Sequence, residues 1–523
     1  MSRYRHHILL AILAFLLPAA VVAQANGGSY VRPSAEVRRA AGSITEDFLR
    51  FGVFTIAHDS MLGRDTPSRG LDLTAAFIGE EFRKAGLTPG GDNGGWLQRY
   101  PLFRHRTLVS ESVVRFTSTD GLALVFPLTT SAWLRFGGAP AGPVTGPVVL
   151  IGGGADTTVL GNAPLSGAVV VWAAEMAIEA FPAGLQAMSR TAARAGARAL
   201  VLVSNRTDPA PFARGVAAQA RGSIALDSVR TATGGLAMIE IPESAFAAQL
   251  PEAAAQLAGM RAATTTVIQP MPEWQGSLDI RAAPVERTSA PNTVGILPGS
   301  DPVLRNEYIV WSAHMDHVGS GGAAPDSIFN GADDDASGTI GVLALARAFA
   351  QPGARPKRSM IFVTVSGEEK GLWGSAWFAN HLPVPTEQVV ANINLDMIGR
   401  NWADTVVVIG KEHSDMGATL HAVAAAHPEL RMHPIDDLWP EQRFYFRSDH
   451  VNFARVGIPI LFFFTGVHED YHRVTDTADK LGYEKMTRIL KLSFYLGTEL
   501  GNRAARPQWN PDSYRQIVQP RTP

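Results

Sequence analysis

The 523-residue sequence contains no cysteine. That absence excludes disulfides, thiolate metal sites and a cysteine nucleophile, and it removes the residue that is acylated in lipoproteins. Basic charge is not in excess either. Lys and Arg together number 46 against 48 Asp and Glu, a formal net charge of −2, which argues against nucleic acid as the main partner. Beyond the N-terminus no apolar run is long enough to span a bilayer. The glycine-rich "IGGGAD" at 151–156 lacks both the GxGxxG spacing and the lysine of a phosphate loop, so it reads as a loop. There is no internal repeat. What the chain does have is apolar mass: 46% hydrophobic and 18% charged residues allow a large core, and the length suits two or three domains.

The first residues read as an export signal. A basic "MSRYRHH" leads into the 15-residue apolar "ILLAILAFLLPAAVV", with small residues and cleavage sites after Ala23 or Ala25. The expectation is a signal peptide over 1–25, no stable membrane anchor after its removal, and an exported protein, periplasmic or secreted. Helical periodicity follows in "SAEVRRAAGSITEDFLRFGVFTIAHD" and in "LDLTAAFIGEEFRKAG", where Gly86 is a natural C-cap. Residues 120–270 are rich in alanine and glycine and poor in charge, and short strands such as "ALVLVS" flank one clear helix. That stretch reads as a separate small α/β module. From about 275 onward strands and helices alternate, which implies a mostly parallel sheet with helices on both faces.

Open α/β sheets bind ligands beyond the carboxyl ends of their strands. Here those ends carry acids and imidazoles. His314 and Asp316 follow "YIVWSA", Glu368 and Glu369 follow "IFVTVSG", Asp396 follows "ANINL", and His468, Glu469, Asp470 and His472 follow "PILFFFTG". The turn "NGADDDASGT" packs Asp333, Asp334 and Asp335 side by side before an apolar helix. Acids are at home near a helix N-terminus, so capping explains any one of them. So many carboxylates on one sheet edge would repel one another unless a cation compensates them, and imidazole with carboxylate oxygen suits catalytic zinc. A carboxylate on that turn can bridge two metals.

The segments "SAHMDHVG", "NGADDDASGT", "SGEEKGLWGS", "NINLDMIGR" and "DYHRVTDT" occur in that order. Together they resemble the five metal-site motifs of the co-catalytic zinc exopeptidases related to bacterial leucyl aminopeptidase. The resemblance covers residues 35–120 and 275–505 as a catalytic domain of the zinc exopeptidase fold. The module at 120–270 resembles a protease-associated domain, inserted into it, and 506–523 would be a C-terminal tail. The resemblance implies two Zn²⁺ ions. His314 and Asp396 would hold one, Glu369 and His472 the other, and Asp334 would bridge them. Glu368 would be the general base. Asp316 would accept the proton on the far nitrogen of His314. "RSDHVNFARVGIP" resembles a segment near the substrate site, which nominates Asp449 and His450 to line it.

The function this implies is an exported aminopeptidase acting on peptide substrates. A carboxypeptidase or dipeptidase on the same scaffold would need a cation for the substrate carboxylate, for which Arg443, Arg447 and Arg473 are candidates. A receptor-like relative would have lost ligands, and a glutaminyl cyclase would need only one zinc; the full set of positions here argues against both.

Overall fold

A computed structural model describes residue 30 and residues 32–518, apart from 137–139, 141, 154–156, 162, 164, 175–180, 207–209, 227–235 and 322–325. The leader expected at 1–25 lies outside the described residues. No helix among the described residues is long and apolar enough to cross a membrane. The chain forms two compact units. One runs up to Trp96 and resumes at Thr293; the other is Leu97–Asn292.

In the first unit the sheet order is His433–Ile435, Thr405–Ile409, Ile460–Phe464, Val389–Leu395, Tyr308–His314, Ser359–Val365 and the end of Glu286–Leu297. Tyr308–His314 lies parallel to both neighbours, and Val389–Leu395 is parallel to Ile460–Phe464. The antiparallel pairings, Thr293–Leu297 with Met360–Thr364 and Val407–Ile409 with Phe462–Phe464, flank this parallel centre. Apart from the half-buried Tyr308, every residue of the four central strands is buried, as continuous apolar strands require when helices cover both faces. The helix Gly338–Phe349 packs on the central strands and is buried at every position except Arg347. The 20-residue helix Tyr483–Asn502 packs against it in turn, and Gly497 is where a β-carbon would strike the fully buried Trp311. The parallel strands all point their carboxyl ends to one edge, and this sets where the polar residues gather.

The N-terminal segment belongs to the same unit. Its periodic stretch forms two helices, Ala35–Gly42 and Glu46–Ile56, because Thr45 starts the second by accepting the Phe48 amide. The helix Arg69–Lys84 ends before Gly86, whose φ of 81° supplies the left-handed turn. The stretch expected to be a tail carries the helix Pro511–Ile517. Trp509 Nε1 donates to the Gly457 carbonyl at 2.9 Å and Ile517 is buried, so apolar anchors hold this segment on the first unit.

The inserted unit is wider at both ends than composition predicts. Its eight-stranded sheet includes Val113–Ser118 and Val267–Asp279, which pair with each other; the first lies wholly, and the second partly, outside the charge-poor stretch. The change in composition at 120 marks only the most apolar part. Val144–Gly152, Val169–Ala174, Ala199–Ser204 and Met238–Pro242 form its parallel centre.

Candidate metal centre

Each expected ligand sits where a strand or turn ends on the carboxyl edge. His314 is the last residue of its strand, and its Nε2 lies 3.2 Å from Asp334 Oδ1 and 3.5 Å from Asp396 Oδ1. His472 Nε2 lies 3.0 Å from Asp334 Oδ2 and 3.1 Å from Glu369 Oε2. Asp334 therefore faces two clusters, one oxygen toward each. His314, Asp334 and Asp396 form one group whose ligand atoms lie close enough for a single ion. The second such group contains His317, which is not among the expected ligands, with Asp334 and Glu369. Its Nδ1 is 2.9 Å from Glu369 Oε1, its ring is fully buried, and neither ring nitrogen has a hydrogen-bond partner. The signal was present, since a second imidazole stands three residues after His314 in "SAHMDHVG".

The three consecutive acids divide their work. Asp335 accepts the backbone amides of His314, Gly338 and Met397 at 3.2, 2.8 and 3.1 Å, tying two strand ends to the helix start. A β-carbon at position 338 would collide with this carboxylate and with the Leu395 carbonyl, so glycine is required for the approach. Asp333 accepts the Gly399 amide at 2.7 Å, and its other oxygen lies 3.3 Å from His468 Nε2. Asp334 alone faces both clusters. Beneath the turn lies Arg64, fully buried, donating to the carbonyls of Ile56, Met315, Asn330 and Gly331. Burial pulls its guanidinium down to about 10, against Asp316, Asp334, Asp476 and Asp335, so it is still cationic at neutral pH.

Supporting contacts differ in part from expectation. The nearest acceptor to His314 Nδ1 is the backbone carbonyl of Asp316 at 3.2 Å; the Asp316 carboxylate is 3.7 Å away, too far for a hydrogen bond. That carboxylate instead accepts Thr66 Oγ1 at 3.1 Å and the Glu368 amide at 3.3 Å, so it positions the proposed base. Asp396 Oδ2 accepts Ser448 Oγ at 2.8 Å, at the end of a buried relay through Asn394, Ser312 and Asn392. Asp449 and His450 are both fully buried and neither lines the cavity at the site. His450 stacks on Phe462, bonds the Tyr445 carbonyl, and is pushed by burial to about 3, so it is a neutral core histidine. Asp449 is raised by burial to about 7. The cavity is lined instead by their chain neighbours Arg447 and Ser448, together with His314, Asp334, Glu368 and Asp396. Neither Arg443 nor Arg473 lines it.

Charge in the site is unbalanced without a cation. Burial raises Glu368 well above the usual carboxylate range, and Asp449, Asp396 and Glu369 push the same way. Burial opposes protonation of His472, yet Asp334 and Glu369 lift it to about 10. Asp334 Oδ2, Asp396 Oδ1, Glu369 Oε1 and His472 Nε2 are all buried without hydrogen-bond partners. Unsatisfied buried atoms of this kind are costly, and here they converge on two foci that share Asp334. A nitrogen and oxygen donor set without sulfur fits Zn²⁺, and the residues present fit two such ions.

Residues 292–496 match the model of peptidase family M28. The leupeptin-inactivating enzyme 1 of Streptomyces exfoliatus is 29% identical over 193 residues, covering 36% of this chain and 39% of that protein. A probable leucine aminopeptidase of Arthroderma otae is 28% identical over 218 residues, covering 40% of this chain and 57% of its own. The chain thus spans less than two thirds of the length of these curated relatives. Among solved structures, the aminopeptidase from Aneurinibacillus sp. strain AM-1 superposes with a TM-score of 0.53 at 19% identity, over 89% of this chain and 96% of that one. That likeness is one of fold.

Two outcomes follow for metal binding. Asp334→Asn removes one negative charge from both clusters at once, so elemental analysis after dialysis should find both zinc equivalents diminished. Two full equivalents would exclude a bridging role. The cation-free protein holds a proton on His472 until about pH 10, and a cation has to displace it. Apparent zinc affinity should therefore rise between pH 6 and 8 by about tenfold per pH unit for each proton displaced. Calorimetry in buffers of different ionisation enthalpy should record proton release, and a flat pH profile would contradict the assignment.

Proposed function

We propose, from the M28 match over residues 292–496, that this chain is an exported zinc-dependent aminopeptidase that removes residues from peptide N-termini. One observation carries the reading: His314, Asp334, Glu369, Asp396 and His472 converge with Glu368 on one sheet edge, where Asp334 Oδ2, Glu369 Oε1, Asp396 Oδ1 and His472 Nε2 are buried without a hydrogen bond among the described residues. Export rests on the leader at 1–25. Residues 97–292 are taken as the protease-associated-like insertion.

Zinc bound at these residues supplies Lewis acidity toward a carbonyl oxygen and lowers the pKa of a water. The protein supplies the rest. His314 with Asp396, and His472 with Glu369, would hold the ions, and Asp334 faces both pairs. The Asp316 carbonyl orients the His314 ring, and Ser448 orients Asp396. Glu368 lies beside these groups with its amide anchored to Asp316. Positive charge brought next to it favours the ionised carboxylate. In that form it takes a proton from the attacking water and returns it to the leaving amine. Apolar Phe444, Phe462 and Phe464 on the cavity wall lower the local dielectric and strengthen these interactions.

Glu368→Gln should retain two zinc equivalents while turnover falls by a factor of about 10² or more, the scale of losing a general base; a fully active, metal-replete variant would remove Glu368 from that role. The zinc-loaded chain should cleave peptides with a free α-amino group and leave N-blocked counterparts intact. Equal cleavage of both would overturn the aminopeptidase reading.

A further inference from the structure

Arg447 enters the cavity that holds His314, Asp334, Glu368 and Asp396, and it is the one arginine or lysine among the described residues lining that cavity. The rest of the wall beside it is apolar or aromatic, including Met397, Phe444, Phe464 and Tyr471. Its guanidinium lies over the Phe444 ring at 4.7 Å, and Nη1 makes one long bond, 3.4 Å, to Gln442 Oε1. No carboxylate among the described residues pairs with it, whereas Arg400 pairs with Asp470, Arg488 with Glu484 and Arg506 with Glu307. The ring beneath the guanidinium holds its plane and leaves the donor edge available. Immediately after it, Ser448 donates to Asp396 Oδ2, so a hydrogen bond from its chain neighbour ties the Arg447 backbone to a proposed ligand. A peptide residue spans only about 3.3–3.6 Å. Arg447 shares one cavity with His314, Asp334, Glu368 and Asp396, so the group it meets belongs to a residue close to the bond to be cut.

We propose that Arg447 is a specificity residue that recognises a substrate carboxylate next to the scissile bond. This rests on the peptidase reading and names its substrate class. A planar guanidinium with a free donor edge matches a carboxylate in two parallel hydrogen bonds. The remaining lining charge is acidic, which would turn such a substrate away unless a fixed cation received it. Two sources offer the same chemistry: the C-terminal carboxylate of a dipeptide, and the side chain of an N-terminal Glu or Asp.

The test uses the full-length zinc-loaded protein and two substrate pairs. One is a leucyl dipeptide and its C-terminal amide; the other is the glutamyl and glutaminyl anilides, which differ in charge but hardly in shape. In at least one pair the charged member should be favoured in kcat/KM by about 10- to 100-fold, mostly through KM, as expected for a charge-assisted hydrogen bond. The dipeptide pair reports the C-terminal source and the anilide pair the side-chain source. Arg447→Met should bring that ratio close to one, and Arg447→Lys should keep part of it. Calorimetric binding of the dipeptide and its amide to the Glu368→Gln variant should show the same discrimination without turnover. Ratios near one in both pairs, or a preference that survives Arg447→Met, would overturn the assignment while leaving the peptidase reading intact. Failure to cleave any of the four substrates would defeat the peptidase reading itself, and this assignment with it.

Discussion

Three adjacent carboxylates buried at one turn are the constraint around which this unit is organised. Like charges so close cannot coexist in a protein interior unless each finds its own compensation. The structure keeps the three apart in role. Asp335 is met by backbone amides from three chain segments, Asp333 by the Gly399 amide and His468, and Asp334 by the imidazoles of His314 and His472. Strand ends that might otherwise splay are thereby tied to one point. The carboxylate between these two neighbours is the one left facing a pair of incomplete cation sites.

The ligands are held by different means on the two sides of Asp334. His314 and Asp396 are extensions of central strands, buried, and supported through Ser448 and a relay of buried asparagines and serine. His472 sits on a loop with φ of 55°, 36% of its side chain exposed. One half of the centre is thus part of the sheet, and the other depends on a loop anchored by Asp470, which Arg400 and Lys480 both hold.

Much of this was legible from residues alone. Alternating strands and helices implied the parallel sheet, and acids or imidazoles after "YIVWSA", "IFVTVSG", "ANINL" and "PILFFFTG" pointed to a common edge, because strand direction puts such ends together. What escaped reading depends on contacts between residues far apart in the chain. Nothing local to Arg64 or Thr66 says that they reach Met315 and Asp316. A histidine buried for packing looks the same in sequence as one at a site, so His450 was nominated to line the cavity while His317, beside Glu369, was passed over. The inserted unit extends beyond the charge-poor stretch because its edge strands are more polar than its centre.

Arg64 lies outside residues 292–496, where the family match falls, yet it satisfies four carbonyl oxygens from chain on both sides of that boundary. A fragment trimmed to the matched region would strip three of those oxygens, at Met315, Asn330 and Gly331, of their donor, and would remove a buried cation from beneath the acidic turn. Recombinant designs based on that minimal stretch would therefore discard part of the foundation while keeping every proposed ligand. A unit that keeps this support begins with the helices that precede the insertion.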